Sequence, residues 1–204
     1  VYFGLGMQLW AGIGVAQDRL EAERLFEKSV ALHDAKEKND VGRQAYRIAE
    51  CFCISRHLDF DAARKWLIKS AEAGNQKAML SLAGCLAKDY PHQSDIARLR
   101  KQFHNSQTFP EDKKQARYWL DRLVELGNRD AKFILALALL HGTPFGENAK
   151  HADALLHELE EGWLEAKDHH SMLKVASAWE QTANNGFSGA DKAKYWRDLA
   201  ERGA

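Results

Sequence analysis

Net charge is missing from this chain: 29 basic side chains face 29 acidic ones. A neutral protein exerts no long-range pull on DNA, RNA or anionic lipid, so nucleic acid is not an expected partner. Long hydrophobic runs are missing too. The longest unbroken apolar stretch is Phe133–Leu140, far short of the roughly 20 residues that span a bilayer. Cysteine is scarce. Cys51, Cys53 and Cys85 are an odd number and too few for a disulfide scaffold, and whether Cys85 pairs with Cys51 or Cys53 stays open. Proline occurs only at positions 91, 110 and 144. No segment sustains the period-2 alternation of β-branched and aromatic residues that marks strands. No Gly-x-Ser-x-Gly elbow, phosphate loop or dinucleotide fingerprint is present, which removes the common nucleophile and nucleotide sites from consideration.

Alanine is abundant, with 30 residues, and Leu, Glu and Lys are frequent. These residues favour helix. The chain also resembles itself. Ala63, Trp66, Leu67, Gly74, Asn75, Ala78, Leu82 and Ala83 recur fifty-three residues later as Ala116, Trp119, Leu120, Gly127, Asn128, Ala131, Leu135 and Ala136. Asp18, Asp59, Asp112 and Asn148 each precede an alanine by four. An Asp or Asn there suits a helix N-cap, because its side-chain oxygen accepts from free N–H groups of the first turn. Gly74, Gly127, Gly162 and Gly203 stand where helices should end, since glycine reaches the left-handed conformation of a C-terminal cap. His33 holds that slot in the first unit.

The repeating unit is therefore helix, loop, helix, turn. The expected fold is all-α: a right-handed α/α solenoid of about five helix-turn-helix repeats in a single helical repeat domain over 1–204. The units fall at about 1–33, 41–74, 77–127, 130–162 and 169–203. The third is overlong, and its excess is an insertion at about 88–111 that holds Pro91, Pro110 and the basic run Arg98, Arg100, Lys101. Insertions in helical arrays fall on one edge.

Leu5-Gly6, Gly12, Gly14-Val15, Asp18, Ala22 and Phe26-Glu27-Lys28, with partial copies in the next three units, resemble the Sel1-like repeat, a relative of the tetratricopeptide repeat. The Gly6 slot becomes Ala49, Ala83, Ala136 and Ala176, still small enough for helices to approach to roughly 8–10 Å. The resemblance implies a tetratricopeptide-like array and a non-enzymatic adaptor, often bacterial, that binds another protein. No transmembrane segment is expected. No cleavable leader is visible behind Val1, and the expected location is periplasmic or cytoplasmic.

Other chemistry is outweighed by packing. Cys51 and Cys53 project about 200° apart on a helix and cannot grip one ion. His169 and His170 diverge, and His151 and His157 lack the i,i+4 spacing of a zinc pair. Paired acids such as Glu160-Glu161 read as solvated helix faces. No catalytic residue, metal or cofactor is expected.

The remaining signal is a surface. In tetratricopeptide-like arrays the first helix of each pair lines the concave face. Carried over by the Leu-small dipeptide of each unit, the lining positions are Phe3, Met7 and Trp10; Arg43, Tyr46 and Glu50; Lys77 and Leu80; Phe133, Leu137, Leu140 and His141; and His170 and Leu173. Aromatic anchors ringed by charge are what protein-binding hot spots use. The competing reading is that individual members pack the interior. Two alternative functions are an immunity protein that neutralises a secreted toxin or effector, and a binder of envelope polymer (peptidoglycan or polysaccharide).

Overall fold

The computed structural model describes residues 1–34, 38–54, 59–87, 111–183 and 189–202. The basic run Arg98–Lys101 and all of the expected insertion except Glu111 lie outside them, as do Gly186 and Gly203. The chain folds as two compact units, one built on Val1–Leu86 and the other on Asp112–Ala204. Among the described residues every regular element is a helix. The fold is the expected all-α repeat solenoid of the tetratricopeptide-like kind.

The first unit contains α1 (Tyr2–Ala11), α2 (Arg19–Asp34), α3 (Lys38–Ile54), α4 (Phe60–Glu72) and α5 (Gln76–Leu86). Consecutive helices pack on one another. The small-residue slot explains the closest approach. A Cβ on Gly6 would stand 2.7 Å from the Phe26 ring, so α1 meets α2 only because glycine is there. Phe26 is the hub of this core. Its ring lies 6.3 Å from Phe3 and from Trp10, 5.7 Å from Phe52 and 6.0 Å from Trp66. The Phe52 and Trp66 rings meet it edge-to-face, an arrangement that adds to the burial of large apolar side chains, about 1.5–3 kcal/mol each. Two polar bonds tie the layers: Gln44 Nε2 donates to Ser29 Oγ at 2.9 Å, and Ser70 Oγ donates to the Gly42 carbonyl at 2.6 Å.

The second unit contains α6 (Lys113–Glu125), α7 (Arg129–His141), α8 (Ala149–Ala166), α9 (His169–Ala183) and α10 (Gly189–Arg202). Its core is mostly aliphatic along α7, where Ile134, Leu135, Leu139 and Leu140 are buried together with Phe133. The aromatic contacts run from Phe133, 5.2 Å from Trp163, to Trp196, 5.8 Å further on, where Tyr195 and His157 also meet the Trp196 ring at 5.6 and 5.9 Å.

The caps follow the sequence grammar. Asp18, Asp59, Asp112 and Asn148 accept the N–H of Glu21, Ala62, Gln115 and His151 at 2.9–3.0 Å. At the other ends, Gly74 and Gly127 have φ of 91° and 74°. Gly74 donates to Ala71 O and Asn75 to Ser70 O; Gly127 donates to Val124 O and Asn128 to Leu123 O. These bonds satisfy the last helical carbonyls, as in a Schellman cap. The residue after each glycine then caps the next helix, Asn75 accepting from Ala78 and Asn128 from Ala131.

One boundary differs from expectation. Gly162 does not end a helix; α8 runs to Ala166 and closes on Lys167, which takes φ 53°. Lys167 and Asp168 reproduce the glycine-Asn turn, donating to Leu164 O and Trp163 O. Asp168 then accepts from Ser171. The extra length carries Trp163 to Phe133 and Trp196. The Arg129 guanidinium lies over bare Gly162, where a Cβ would collide with it.

Candidate functional site

The first helix of each pair should present the partner-facing side chains, and each unit is described by itself. In the first unit, Phe3 and Met7 lie on α1 and are half-buried. On α3, Arg43 is exposed while Tyr46 and Glu50 are half-buried; the spacing i, i+3, i+7 places all three on one helix face. Lys77 is exposed and Leu80 half-buried on α5. Arg47 joins α1 to α3, its guanidinium carbon 5.6 Å from the centre of the Phe3 ring. Sequence reasoning missed Arg47. Its position one turn after Arg43 was the available signal.

This face mixes apolar patches with both signs of charge: Phe3, Met7, Tyr46 and Leu80 beside Arg43, Arg47, Lys77 and Glu50. Cys51 sits behind it, half-buried, and is a free thiol. Burial pushes its thiol above the ordinary range, with Glu50 adding to the rise and Arg47 opposing it. A thiol held protonated is a weak nucleophile and a weak metal ligand. Cys85 is buried, while the Cys53 side chain lies outside the described set.

In the second unit, Leu137 is half-buried and His141 exposed on α7, and His170 and Leu173 are exposed on α9. Partial desolvation lowers the His141 pKa, which favours its neutral ring at pH 7. The neighbouring histidines separate as expected: His169 turns inward, with Nδ1 2.7 Å from the Ala200 carbonyl, and His170 points out.

Three expected partner-facing residues are corrected. Trp10, Phe133 and Leu140 are buried. Trp10 packs 4.8 Å from the Phe52 ring beneath the Arg19 guanidinium. Phe133 and Leu140 belong to a helix that is apolar nearly all round, and such a helix sinks into the core. Repeat register assigns a helix face but not its depth.

The second helices look different. Their charges are matched across neighbouring pairs: Glu23 with Lys65 at 2.8 Å, Glu27 with Lys69, and Arg19 with Asp59 at 3.6 Å. In the second unit Lys192 meets Asp153 at 2.7 Å. His157 Nδ1 lies 2.8 Å from Glu160, and Glu160 also accepts from the Tyr195 hydroxyl. That bond, with desolvation second, pushes the Tyr195 phenol up to about 12. These groups hold helices to one another. A shallow cleft of about 550 Å³ is lined by Lys113, Lys114, Arg117, Tyr118, Asp121, Pro144 and Phe145, and Asp121 already grips Arg117 at 2.7 Å.

Among the described residues no group of His, Cys, Asp and Glu is placed to hold a metal ion, and no helix is long and apolar enough to cross a membrane.

The family description "Sel1 repeat" matches residues 2–34, 45–75 and 104–128. No curated protein matches the chain. Among solved structures, a Sel1 repeat protein from Oxalobacter formigenes is 16% identical with a TM-score of 0.49, covering 98% of this chain and 69% of that one. A second is c5321, a protective antigen present in uropathogenic Escherichia coli strains and displaying an SLR fold. It is 16% identical with a TM-score of 0.34, and the match covers 98% of this chain but 53% of that one.

Proposed function

We propose that this chain, three segments of which match the Sel1 repeat, binds another protein through the first helices of its repeats, in keeping with the generally non-catalytic, protein-binding role of Sel1-repeat proteins. The carrying observation is the half-open apolar face of the first helices: Phe3, Met7, Tyr46 and Leu80 are half-buried, and Arg43 and Lys77 are exposed. In the second unit Leu137, His141, His170 and Leu173 are the corresponding contributors. An apolar patch with charged neighbours is the composition of a hot spot and its rim. Mechanism is rigid presentation: the helix pairs hold these side chains in place before the partner arrives, so this protein loses little ordering entropy on binding.

The test is capture of the partner from the source cells, followed by titration calorimetry with the purified pair. The double substitution Arg43→Ala with Tyr46→Ala is expected to weaken binding at least about tenfold, the equivalent of roughly 1.4 kcal/mol. Helicity by circular dichroism should persist, because neither side chain is in the core. Undiminished affinity, or a footprint confined to α2 and α4, would remove the assignment. The captured partner's identity also separates scaffolding from toxin neutralisation and from envelope-polymer binding.

A further inference from the structure

The shallow cleft at the start of α6 has a composition that helix stability does not select. α6 supplies Lys113, Lys114, Arg117, Tyr118 and Asp121, and the turn over 142–148 supplies Pro144 and Phe145. Positions 114, 117, 118 and 121 follow i, i+3, i+4, i+7 and share one face of the helix. Three of these side chains are basic and one is acidic. Two of the cations also stand at the unfavourable end of the helix. Free N–H groups make a first turn electropositive, which favours acids there. α2, α4 and α10 carry Glu21, Asp61 and Asp191 in that turn. α6 has no acid there and opens with Lys113 and Lys114.

Arg117 is fixed in place but only partly engaged. Both Asp121 oxygens accept from its Nε, at 2.7 and 2.9 Å. Its guanidinium carbon stands 5.7 Å from the centre of the Phe145 ring. Among the described residues its two Nη atoms make no hydrogen bond, and Lys114 has no ion-pair partner. The apolar wall is held as well. Gly146 N–H donates to the Gly142 carbonyl at 2.9 Å and Asn148 N–H to the Leu139 carbonyl at 3.1 Å, so the turn that carries Phe145 is closed onto α7. Tyr118 lies edge-on to Trp119 at 5.0 Å and is 58% exposed. A fork of N–H donors thus stands ready beside open aromatic surface.

We infer that this cleft binds a short extended segment of a partner protein in which carboxylates flank an aromatic or branched aliphatic side chain. Charge complementarity decides the occupant. The Arg117 Nη atoms and the Lys114 ammonium take the carboxylates, the first as a planar fork, and the apolar side chain lies against Phe145, Tyr118 and Pro144. A volume of about 550 Å³ is of ligand-pocket size and admits a few side chains, not a folded domain. A nucleic-acid strand fits less well. Asp121 would face its phosphates, and a chain with 29 basic and 29 acidic side chains exerts no field that draws in a polyanion. The site lies on a second helix and a hairpin turn, so it goes beyond the first-helix face proposed above and does not rest on it.

The test is an array of immobilised peptides in which Glu, Phe, Leu, Ser and Lys are permuted, probed with the 204-residue chain, followed by fluorescence titration of the strongest binder. Peptides with acids next to Phe or Leu are expected to be enriched, and their affinity should fall as salt is raised. Lys114→Glu combined with Arg117→Gln should weaken the titrated peptide about tenfold or more, and Phe145→Ala about threefold or more, with helicity by circular dichroism retained. Replacing Glu by Gln in the peptide should reproduce the first loss, and this comparison decides even where a variant unfolds. No enrichment of acidic peptides, equal binding of the Gln peptide, or undiminished affinity in the folded variants overturns the inference. Tighter binding of a single-stranded oligonucleotide than of the acidic peptide also overturns it. Arg43→Ala with Tyr46→Ala is expected to leave peptide affinity unchanged; a loss there would place the peptide on the first helices and overturn this site.

Discussion

The two units fill the space between their helices in different ways. In the first, Phe26 gathers Phe3, Trp10, Phe52 and Trp66 around one ring, and the helices end on schedule, fifteen residues from Asp59 to Gly74. In the second, α7 is mostly aliphatic and the aromatic contacts run from its Phe133 through Trp163 to Trp196, which Tyr195 and His157 flank. That path requires α8 to pass Gly162, and its cap falls to Lys167, a non-glycine residue at φ 53°. A glycine permits a helix to stop. Whether it stops there depends on what the next turn can bury.

The sharpest way to break the comparison is to remove a filler from each unit. Trp66→Ala and Trp196→Ala each empty a fully buried site, and each should cost about 3–5 kcal/mol in denaturant titration. Hydrogen exchange should rise in α1–α5 for the first and in α7–α10 for the second. Uniform loss in both variants would show that the two sets of ring contacts are not separate cores.

A smaller effect is expected at the hub's closest approach. Gly6→Val forces a side chain against Phe26, where even a Cβ would stand at 2.7 Å, and should destabilise by about 1–3 kcal/mol. Ala136→Gly, at the same register in the second unit, only removes a methyl group from a helix and should cost about 1 kcal/mol. Equal melting shifts for the two would contradict the claim that Gly6 is required for contact.

Third in size is the turn that replaces glycine. Asp168→Ala removes the cap on α9 and should cost about 1 kcal/mol. The Asp168 carboxyl titrates below the ordinary 3.8: desolvation pushes it up, but hydrogen bonds from Ser171 and the charges of His170 and Lys174 bring it lower still. Its folded pKa is depressed, so its stabilisation is present above the unfolded value and is lost as pH falls through the folded one. The gap between parent and Asp168→Ala should therefore narrow in acid, below pH 3.8. The smallest change has the opposite sign. Lys167→Gly relieves left-handed strain, but glycine's greater freedom in the unfolded chain offsets part of the gain, so it should stabilise by less than about 1 kcal/mol; a loss would mean the lysine side chain matters more than its backbone.

Much of this architecture was legible as text. The four Asp and Asn caps, the glycine turns at 74 and 127, and the buried Leu-small dipeptides from Ile48 onward all follow from local chemistry: a short polar side chain can reach a free N–H, glycine accepts positive φ, and a small residue lets helices close. The candidate surface was legible only as a face. Trp10, Phe133 and Leu140 carried the right register but are buried, because register fixes direction around a helix axis and says nothing of what packs on that side. Arg47 was missed for the related reason that its role lies in contact with Phe3, which is far away in sequence.

Local rules thus sufficed for the helical repeat, its caps and its period, since each depends on residues within a turn or two of one another. Burial depth, the length of α8 and the cleft beside α6 came only from the assembled fold. Each depends on which distant side chains arrive at the same place, and packing energy, summed over many such contacts, outweighs the preference of any single turn.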